Sequence, residues 1–185
     1  MKKYLKCKVC GFIGEEGEIT KGCPACGVPV SAFESYQYDI NEKRLNLLNM
    51  HIHPVLVHFP QSIAFLSLIF IIIAFTTQGQ ISSNLIIVEK LLSIILPISA
   101  LIATVAGMFD ARTRFKKKFG PLLKQKIVLS AIFFLSTSIT AVLINYEAFN
   151  FWGKVAIIIL SIGSFLCSGL LGKKGAKLLD SKLRG

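Results

Sequence analysis

Beyond residue 53 the chain alternates between long apolar stretches and short polar ones. The apolar stretches run roughly from Val55 to Thr77, Leu85 to Phe109, Ile127 to Tyr146 and Phe151 to Gly172. Each is about 20 residues or slightly more, enough to cross ~30 Å of hydrocarbon at ~1.5 Å per residue. The first runs from Ala64 to Phe75 without one charge, and the fourth contains Val155-Ala156-Ile157-Ile158-Ile159-Leu160. A helix that is apolar all round belongs either in a large protein core or in a bilayer. Four in succession in a short chain predict an all-α transmembrane four-helix bundle over residues 54–172.

The first 36 residues follow a different pattern. They are polar, and they carry two C-x-x-C pairs, Cys7-Lys8-Val9-Cys10-Gly11 and Cys23-Pro24-Ala25-Cys26-Gly27, with twelve residues between Cys10 and Cys23. Two such turns can face one another, and four thiolates in tetrahedral array suit Zn²⁺ or a single Fe. Gly11 and Gly27 each follow a second cysteine, where a positive φ is often needed. A segment of about 35 residues buries little core, so a bound metal would supply most of its folding energy. The expected organisation is a four-cysteine metal domain over 1–36, a linker or interfacial helix over 37–53, the bundle over 54–172 and a basic tail over 173–185. Within the connector, Ile40, Leu45, Leu47, Leu48 and Met50 lie among Asn, Lys and Arg. That mixture fits either a partly helical stretch at headgroup level or a plain linker.

Composition and charge agree with this division. Hydrophobic residues make up 53% and charged residues 17%, against roughly a quarter charged in a typical globular chain. The net charge of +11 arises entirely beyond residue 40, in short stretches flanking the apolar segments. It therefore reads as membrane topology, with no nucleic acid as partner. The loop after the second apolar stretch holds Arg112, Arg114, Lys116, Lys117, Lys118, Lys124 and Lys126, and the tail holds Lys173, Lys174, Lys177, Lys182 and Arg184. The loops Gln78–Asn84 and Asn145–Asn150 hold no basic residue. The positive-inside rule places the second loop, the tail and the N-terminus in the cytoplasm, in the cytoplasmic (inner) membrane of a prokaryote. Reduced thiolates favour the same compartment. No signal peptide is expected, because the first apolar stretch begins so late.

All three histidines lie in His51-Ile52-His53-Pro54-Val55-Leu56-Val57-His58-Phe59-Pro60. Pro54 fits a first helical turn, and Pro60 would bend the helix or restart it. His51 and His58 share a face if the helix extends back that far, whereas His53 and His58 diverge by about 140° at roughly 100° per residue. The segment is a candidate second metal or haem site, weighed against interfacial histidines that cap and anchor the helix. The other three apolar stretches hold no histidine. A haem would therefore need a homodimer, a sixth ligand such as Met108, or five-coordination. Asp110 could support a histidine or simply pair with Arg112 or Arg114. Glu89, near the expected start of the second helix, and Glu147 are placed at the headgroups. Cys167 is read as a packing residue. Ser161, Gly163, Ser164, Ser168 and Gly169 suit the fourth helix to close contact.

Two resemblances sharpen these expectations. The run Tyr4-Leu5-Lys6-Cys7-Lys8-Val9-Cys10-Gly11-Phe12, with Cys23-Pro24-Ala25-Cys26-Gly27-Val28-Pro29 and Ser31-Ala32-Phe33-Glu34, resembles the short rubredoxin domain of rubrerythrins. That resemblance implies a small rubredoxin-like (zinc-ribbon-like) fold, Phe33 packed over the metal, and one iron cycling between ferric and ferrous states. Zinc ribbons share the spacing, so zinc is the alternative. Residues 50–172, through His53-Pro54-x-x-Val57-His58-Phe59-Pro60 and Gly107-Met108-Phe109-Asp110, resemble the domain of unknown function 2231. Where some relatives place a histidine in the third helix, this chain has Lys124-Gln125-Lys126.

The leading functional expectation is electron transfer at the cytoplasmic membrane face, with the chain a carrier or redox-complex subunit more than a stand-alone enzyme. Electrons would pass from a soluble redox donor through the four-cysteine iron to a haem, a quinone or a membrane partner. The chief alternative is a structural zinc ribbon that docks a cytosolic partner on a membrane anchor. Transport past His53, His58 and Asp110 is a third, opposed by the scarcity of intramembrane charge. Nothing in the sequence forms a nucleophile–base pair, a phosphate loop or a carboxylate dyad.

Overall fold

The structure is a computed structural model that describes residues 3–37, 41–115 and 120–179. Ile40, Lys116, Lys117, Lys118, Lys182 and Arg184 lie outside the described residues. The chain divides into two compact units, with the boundary between Asn41 and Glu42.

The first unit is built on a three-stranded antiparallel sheet of β1 (Tyr4–Cys7), β2 (Ile13–Glu15) and β3 (Phe33–Tyr36), in the order β2-β1-β3. Short 3₁₀ turns at Glu16–Glu18 and Val30–Ala32 complete it. Register pairs Lys6 with Ile13 and Cys7 with Phe33, so the first cysteine ends the central strand. The buried interior is very small: Cys7 is fully buried, and Cys23 and Ile19 nearly so. Two of those three side chains are thiols. A core that slight cannot offset the entropy of ordering the segment by apolar burial.

The second unit contains a short α1 (Glu42–Asn49) and four long helices, α2 (Ile52–Thr76), α3 (Gln80–Phe115), α4 (Pro121–Asn145) and α5 (Phe151–Leu179). All four long helices are long and apolar enough to cross a membrane. Contacts join α2 to α3, α3 to α4, α4 to α5 and α5 back to α2, giving a closed ring of four. Each helix buries one narrow seam. On α2 it is Pro60, Ala64, Ser67, Ile71 and Ala74; on α3, Glu89, Ser93, Leu96, Ala100 and Ala103. On α4 the seam is Phe133, Thr137, Thr140 and Ile144; on α5, Ile157, Ser161, Ser164 and Ser168. The alternating steps of four and three are the repeat of left-handed helix pairs. Most seam residues are small, which lets backbones approach where no hydrophobic force drives helices together. The outward faces are the apolar ones, with Ile87, Leu91, Ile98, Leu101 and Val105 all exposed.

Several sequence expectations change in detail. Helix α2 runs through Pro60 without the interruption expected there. A proline removes one ladder hydrogen bond, to the Leu56 carbonyl, yet a packed bundle tolerates it. Helix α3 begins at Gln80, earlier than expected, so Glu89 lies in its third turn and faces the interior at 2% exposure. Its side chain is therefore inside the bundle and not at the surface expected for it. On α5 the serines turn inward, but Gly163 and Gly169 face open space. Cys167 is buried and packs with Ala64, Leu96, Ala100 and Phe133.

The ends of the helices are held by specific bonds. Residues 42–49 form a helix with Leu45 and Leu48 buried. From it Arg44 donates to the Thr113 and Arg114 carbonyls at 2.5 and 2.9 Å. A cation on the last carbonyls of α3 satisfies orphan acceptors and opposes the helix dipole. At the other end of the bundle, Asn150 Oδ1 accepts from the Gly153 N–H at 2.7 Å and caps α5. There the chain doubles back so tightly that a Cβ on Gly153 would meet the Ala148 carbonyl oxygen at 1.8 Å. Asn150→Ala should therefore cost about 1 kcal/mol. Gly153→Ala should cost about 2–3 kcal/mol through forced backbone displacement. Thermal unfolding of the purified protein in detergent measures both; equal effects would contradict the close approach.

Candidate metal centre

The two C-x-x-C turns are built alike. The Cys7 N–H donates to the Phe12 carbonyl at 2.8 Å, and the Gly11 N–H donates to the Cys7 carbonyl at 2.9 Å. In the second turn the Cys23 N–H donates to Val28 at 2.8 Å, and the Gly27 N–H to Cys23 at 2.9 Å. Gly11 and Gly27 have φ of 78° and 76°. Space is open around both, so it is the left-handed backbone, not crowding, that calls for glycine. The Lys8 N–H bonds the Ala32 carbonyl at 2.9 Å and ties the first turn to the segment leading into β3.

These turns bring the four sulfurs within 4.8 Å of one another. Cys7 and Cys26 Sγ are 3.8 Å apart, and Cys10 and Cys23 Sγ are 3.6 Å apart. All four are free thiols, and these separations are far beyond a disulfide bond. A tetrahedron with metal–sulfur bonds of ~2.3 Å has edges of ~3.8 Å. The donor set therefore fits one tetrahedral ion, and the chemistry of four thiolates suits iron and zinc alike.

The backbone is arranged to favour negative sulfur. The Cys10 and Val9 N–H groups point at Cys7, those of Cys26 and Ala25 at Cys23, that of Phe12 at Cys10 and that of Val28 at Cys26. The Cys10 N–H, assisted by that of Val9 and by the Cys10 and Cys26 sulfurs, lowers the Cys7 thiol to about 7 against the effect of burial. Cys26 goes the other way: the Val28 N–H favours its thiolate, but the Cys10 sulfur, burial, and the Cys23 and Cys7 sulfurs together push it up to about 12. Cys10 is raised in the same manner, although the Phe12 N–H favours its charge. Without a cation, then, the cluster does not hold four negative charges. Cys7 and Cys23 are buried while Cys10 and Cys26 are exposed, so the second sulfur of each pair forms the solvent edge of the site. Phe33 is half-buried opposite Cys7 in the β1–β3 ladder.

The histidine segment is arranged differently. His51 stands before α2 in the left-handed conformation, φ 49°, so the helix does not extend back to place His51 and His58 on one face. Its Nδ1 bonds the Asn49 carbonyl at 2.6 Å. His58 is exposed. His53 alone turns inward. Its ring lies against α3 where Gly107 leaves room, since a Cβ there would come within 2.7 Å of Cε1. Nδ1 is 3.2 Å from the Ala103 carbonyl and Nε2 is 3.5 Å from Lys126 Nζ. These partners assign the proton to Nδ1 and leave the Nε2 lone pair facing the ammonium. Asp110 pairs with Arg114 at 3.2 Å one turn along α3. Met108 is exposed. Among the described residues, only the four cysteines form a group of three or more ligands able to hold one ion. A groove of about 330 Å³, lined chiefly by apolar residues of α1, α2 and α3, opens beside His53 and Asp110.

Two residues escaped the sequence reading. Lys126 was seen only as part of a basic loop, and its pairing with His53 depends on the α2–α4 approach. Glu89 could have been found, because Glu89, Ser93, Leu96 and Ala100 keep the seam spacing.

Residues 6–34 match the family of the rubrerythrin rubredoxin-like domain. No match was found among curated proteins or among solved structures. The N-terminal unit thus carries a rubredoxin-like four-cysteine metal site.

Because Cys10 and Cys26 hold their protons at neutral pH, metal binding there must displace at least two. Apparent affinity should rise at least ~100-fold per pH unit between 7 and 8, and fall more steeply below 7 as Cys7 also protonates. Competition with a chromophoric chelator measures the slope; a pH-independent affinity would contradict the assignment.

Proposed function

We propose that the chain is a multi-pass membrane protein that passes single electrons from a soluble cytoplasmic donor, through a four-cysteine iron, to an acceptor at the membrane. The observation that carries this reading is the set of four sulfurs at tetrahedral spacing, met by six N–H groups, within a segment that matches a rubredoxin-like domain. Iron bound there exchanges one electron between its ferric and ferrous states. The chain's own contribution is to hold the ion in place, to neutralise the thiolates with N–H dipoles, and to leave the Cys10 and Cys26 edge open to a donor.

Membrane insertion, with both termini on the cytoplasmic side of a prokaryotic inner membrane, is supported by the two unlike ends of the bundle. Arg112, Arg114, Lys124, Lys126, Lys173, Lys174 and Lys177 gather at one end. At the other, Tyr146, Phe151 and Trp152 are exposed, as aromatic residues are at headgroup level. The cations toward that second end are engaged: Lys90 pairs with Glu147 at 2.5 Å, and Lys154 lies 5.3 Å from the Phe75 ring centre.

For the acceptor, the groove beside His53 favours a small ring with an apolar tail, such as a quinone, over haem. Its volume is at the lower end of ligand sites. The histidine nitrogen that iron would take already faces Lys126. The resemblance of residues 50–172 to the domain of unknown function 2231 adds membrane location and no chemistry of its own.

Metal analysis and an optical spectrum of the purified full chain test this reading. One iron per chain should give a red protein that bleaches with dithionite, and Cys10→Ser or Cys26→Ser should abolish that spectrum while the helices still assemble. A colourless protein with one zinc would overturn electron transfer and leave a zinc ribbon docking a cytosolic partner. Topology has its own readout. A cysteine introduced at Gln78 should react with an impermeant thiol reagent in intact cells, and one at Lys173 should react only after lysis.

A further inference from the structure

Midway along the bundle, polar groups converge from all four long helices. The two apolar core layers, Ala64, Leu96, Ala100, Phe133 and Cys167 on one side and Ile71, Ile144 and Ile157 on the other, are separated by a small cavity. Its walls carry six hydroxyls, from Ser67, Ser93, Thr137, Thr140, Ser161 and Ser164, and one carboxyl, from Glu89. Glu89 is 2% exposed, and among the described residues neither of its oxygens has a hydrogen-bond partner. The Ser67 hydroxyl, likewise unpartnered among them, lines the same cavity. The space amounts to about 10 Å³ for the centre of a water-sized molecule, room for one.

The directions of the hydroxyl bonds decide what this wall can receive. Ser93 donates to the Lys90 carbonyl at 2.9 Å, Thr137 to Phe133 at 2.9 Å, Thr140 to Ser136 at 3.0 Å and Ser161 to Ile157 at 2.7 Å. Ser164 shares a 2.9 Å bond with Ser136. With the protons of Ser93, Thr137, Thr140 and Ser161 committed to helix carbonyls, those four oxygens present lone pairs to the cavity. An ionised carboxylate needs donors and would find few here, whereas a protonated carboxyl needs acceptors and is surrounded by them. No charged side chain of α2, α4 or α5 lines the cavity. Lys90, the neighbour of Glu89 on α3, turns away to Glu147. An unpaired charge at this depth would be very costly.

One of the wall hydroxyls is also held from outside the cavity. Ser93 Oγ accepts from Asn145 Nδ2 at 3.1 Å, and Asn145, at the C-terminus of α4, also reaches the Ala141 carbonyl at 2.9 Å near the exposed Lys90–Glu147 pair.

We propose that Glu89 and these hydroxyls form an enclosed proton-binding site, in which the carboxyl holds a proton at neutral pH. Loading places one proton on a Glu89 oxygen, and release leaves the carboxylate to be met by the Ser67 hydroxyl and a single water. The site is distinct from the four-cysteine centre and does not depend on which metal that centre holds.

Infrared spectroscopy of the full chain in lipid nanodiscs tests it. The wild-type protein should show a protonated-carboxyl stretch at pH 7, where an ordinary glutamate, with a pKa of ~4.3, is ionised. Isotope labelling of glutamate should shift the band, labelling of aspartate should not, and Glu89→Gln should remove it. Absence of the band at pH 7 would overturn the proposal, as would its persistence in Glu89→Gln or its loss on adding sodium. The wild-type spectrum and its glutamate label decide the matter even if Glu89→Gln fails to fold.

Discussion

Four sulfurs held within 4.8 Å of one another cannot all be thiolates unless a cation sits among them. The opposed behaviour of Cys7, lowered to about 7, and Cys26, raised to about 12, expresses that conflict within one small cluster. Every other feature of the N-terminal unit follows from resolving it. The glycines at 11 and 27 allow each turn to bend back, and the bending aims N–H groups at sulfur. The sheet then needs only to hold the two turns face to face. With Ile19 almost the only large apolar side chain inside, the metal takes the place of a hydrophobic core.

The bundle solves the reverse problem. Apolar side chains are abundant but face outward, so few of them join the helices. Close packing of small residues does so instead. Seams of Ala, Ser and Thr let backbones approach, and most seam hydroxyls bond a carbonyl of their own helix. The same logic explains Gly107: the His53 ring occupies the space a side chain would fill, and the α2–α3 contact depends on it.

Much of this architecture was legible in the sequence, for stated reasons. Four apolar runs of spanning length leave little choice but helices, and two C-x-x-C turns with glycine after each have few other uses. What was not legible depended on rotation and on helix ends. Apolarity all round, as in α3, hides which face turns inward. Glu89 looked like a headgroup residue because the start of its helix was placed at Leu85 in place of Gln80. The three histidines looked like a cluster because they are close in sequence, yet a left-handed residue at position 51 and a spacing of five send them three ways. Cys167 and Asp110 were readable, the one from its apolar surroundings and the other from Arg114 one turn away.

The ionisable groups of the bundle fall into two kinds, and the difference has a physical meaning. Asp110 with Arg114 and Lys90 with Glu147 are pairs of opposite charge, while Lys126 lies against the His53 ring. The two ion pairs need no special function, since each partner lowers the cost of the other. Among the described residues Glu89 has no partner, and it lies between two apolar layers. No ion pair among those residues engages its carboxyl there. Unlike the serines of the seam, a carboxyl can take up and give back a proton, and that is the property the proposed site would use.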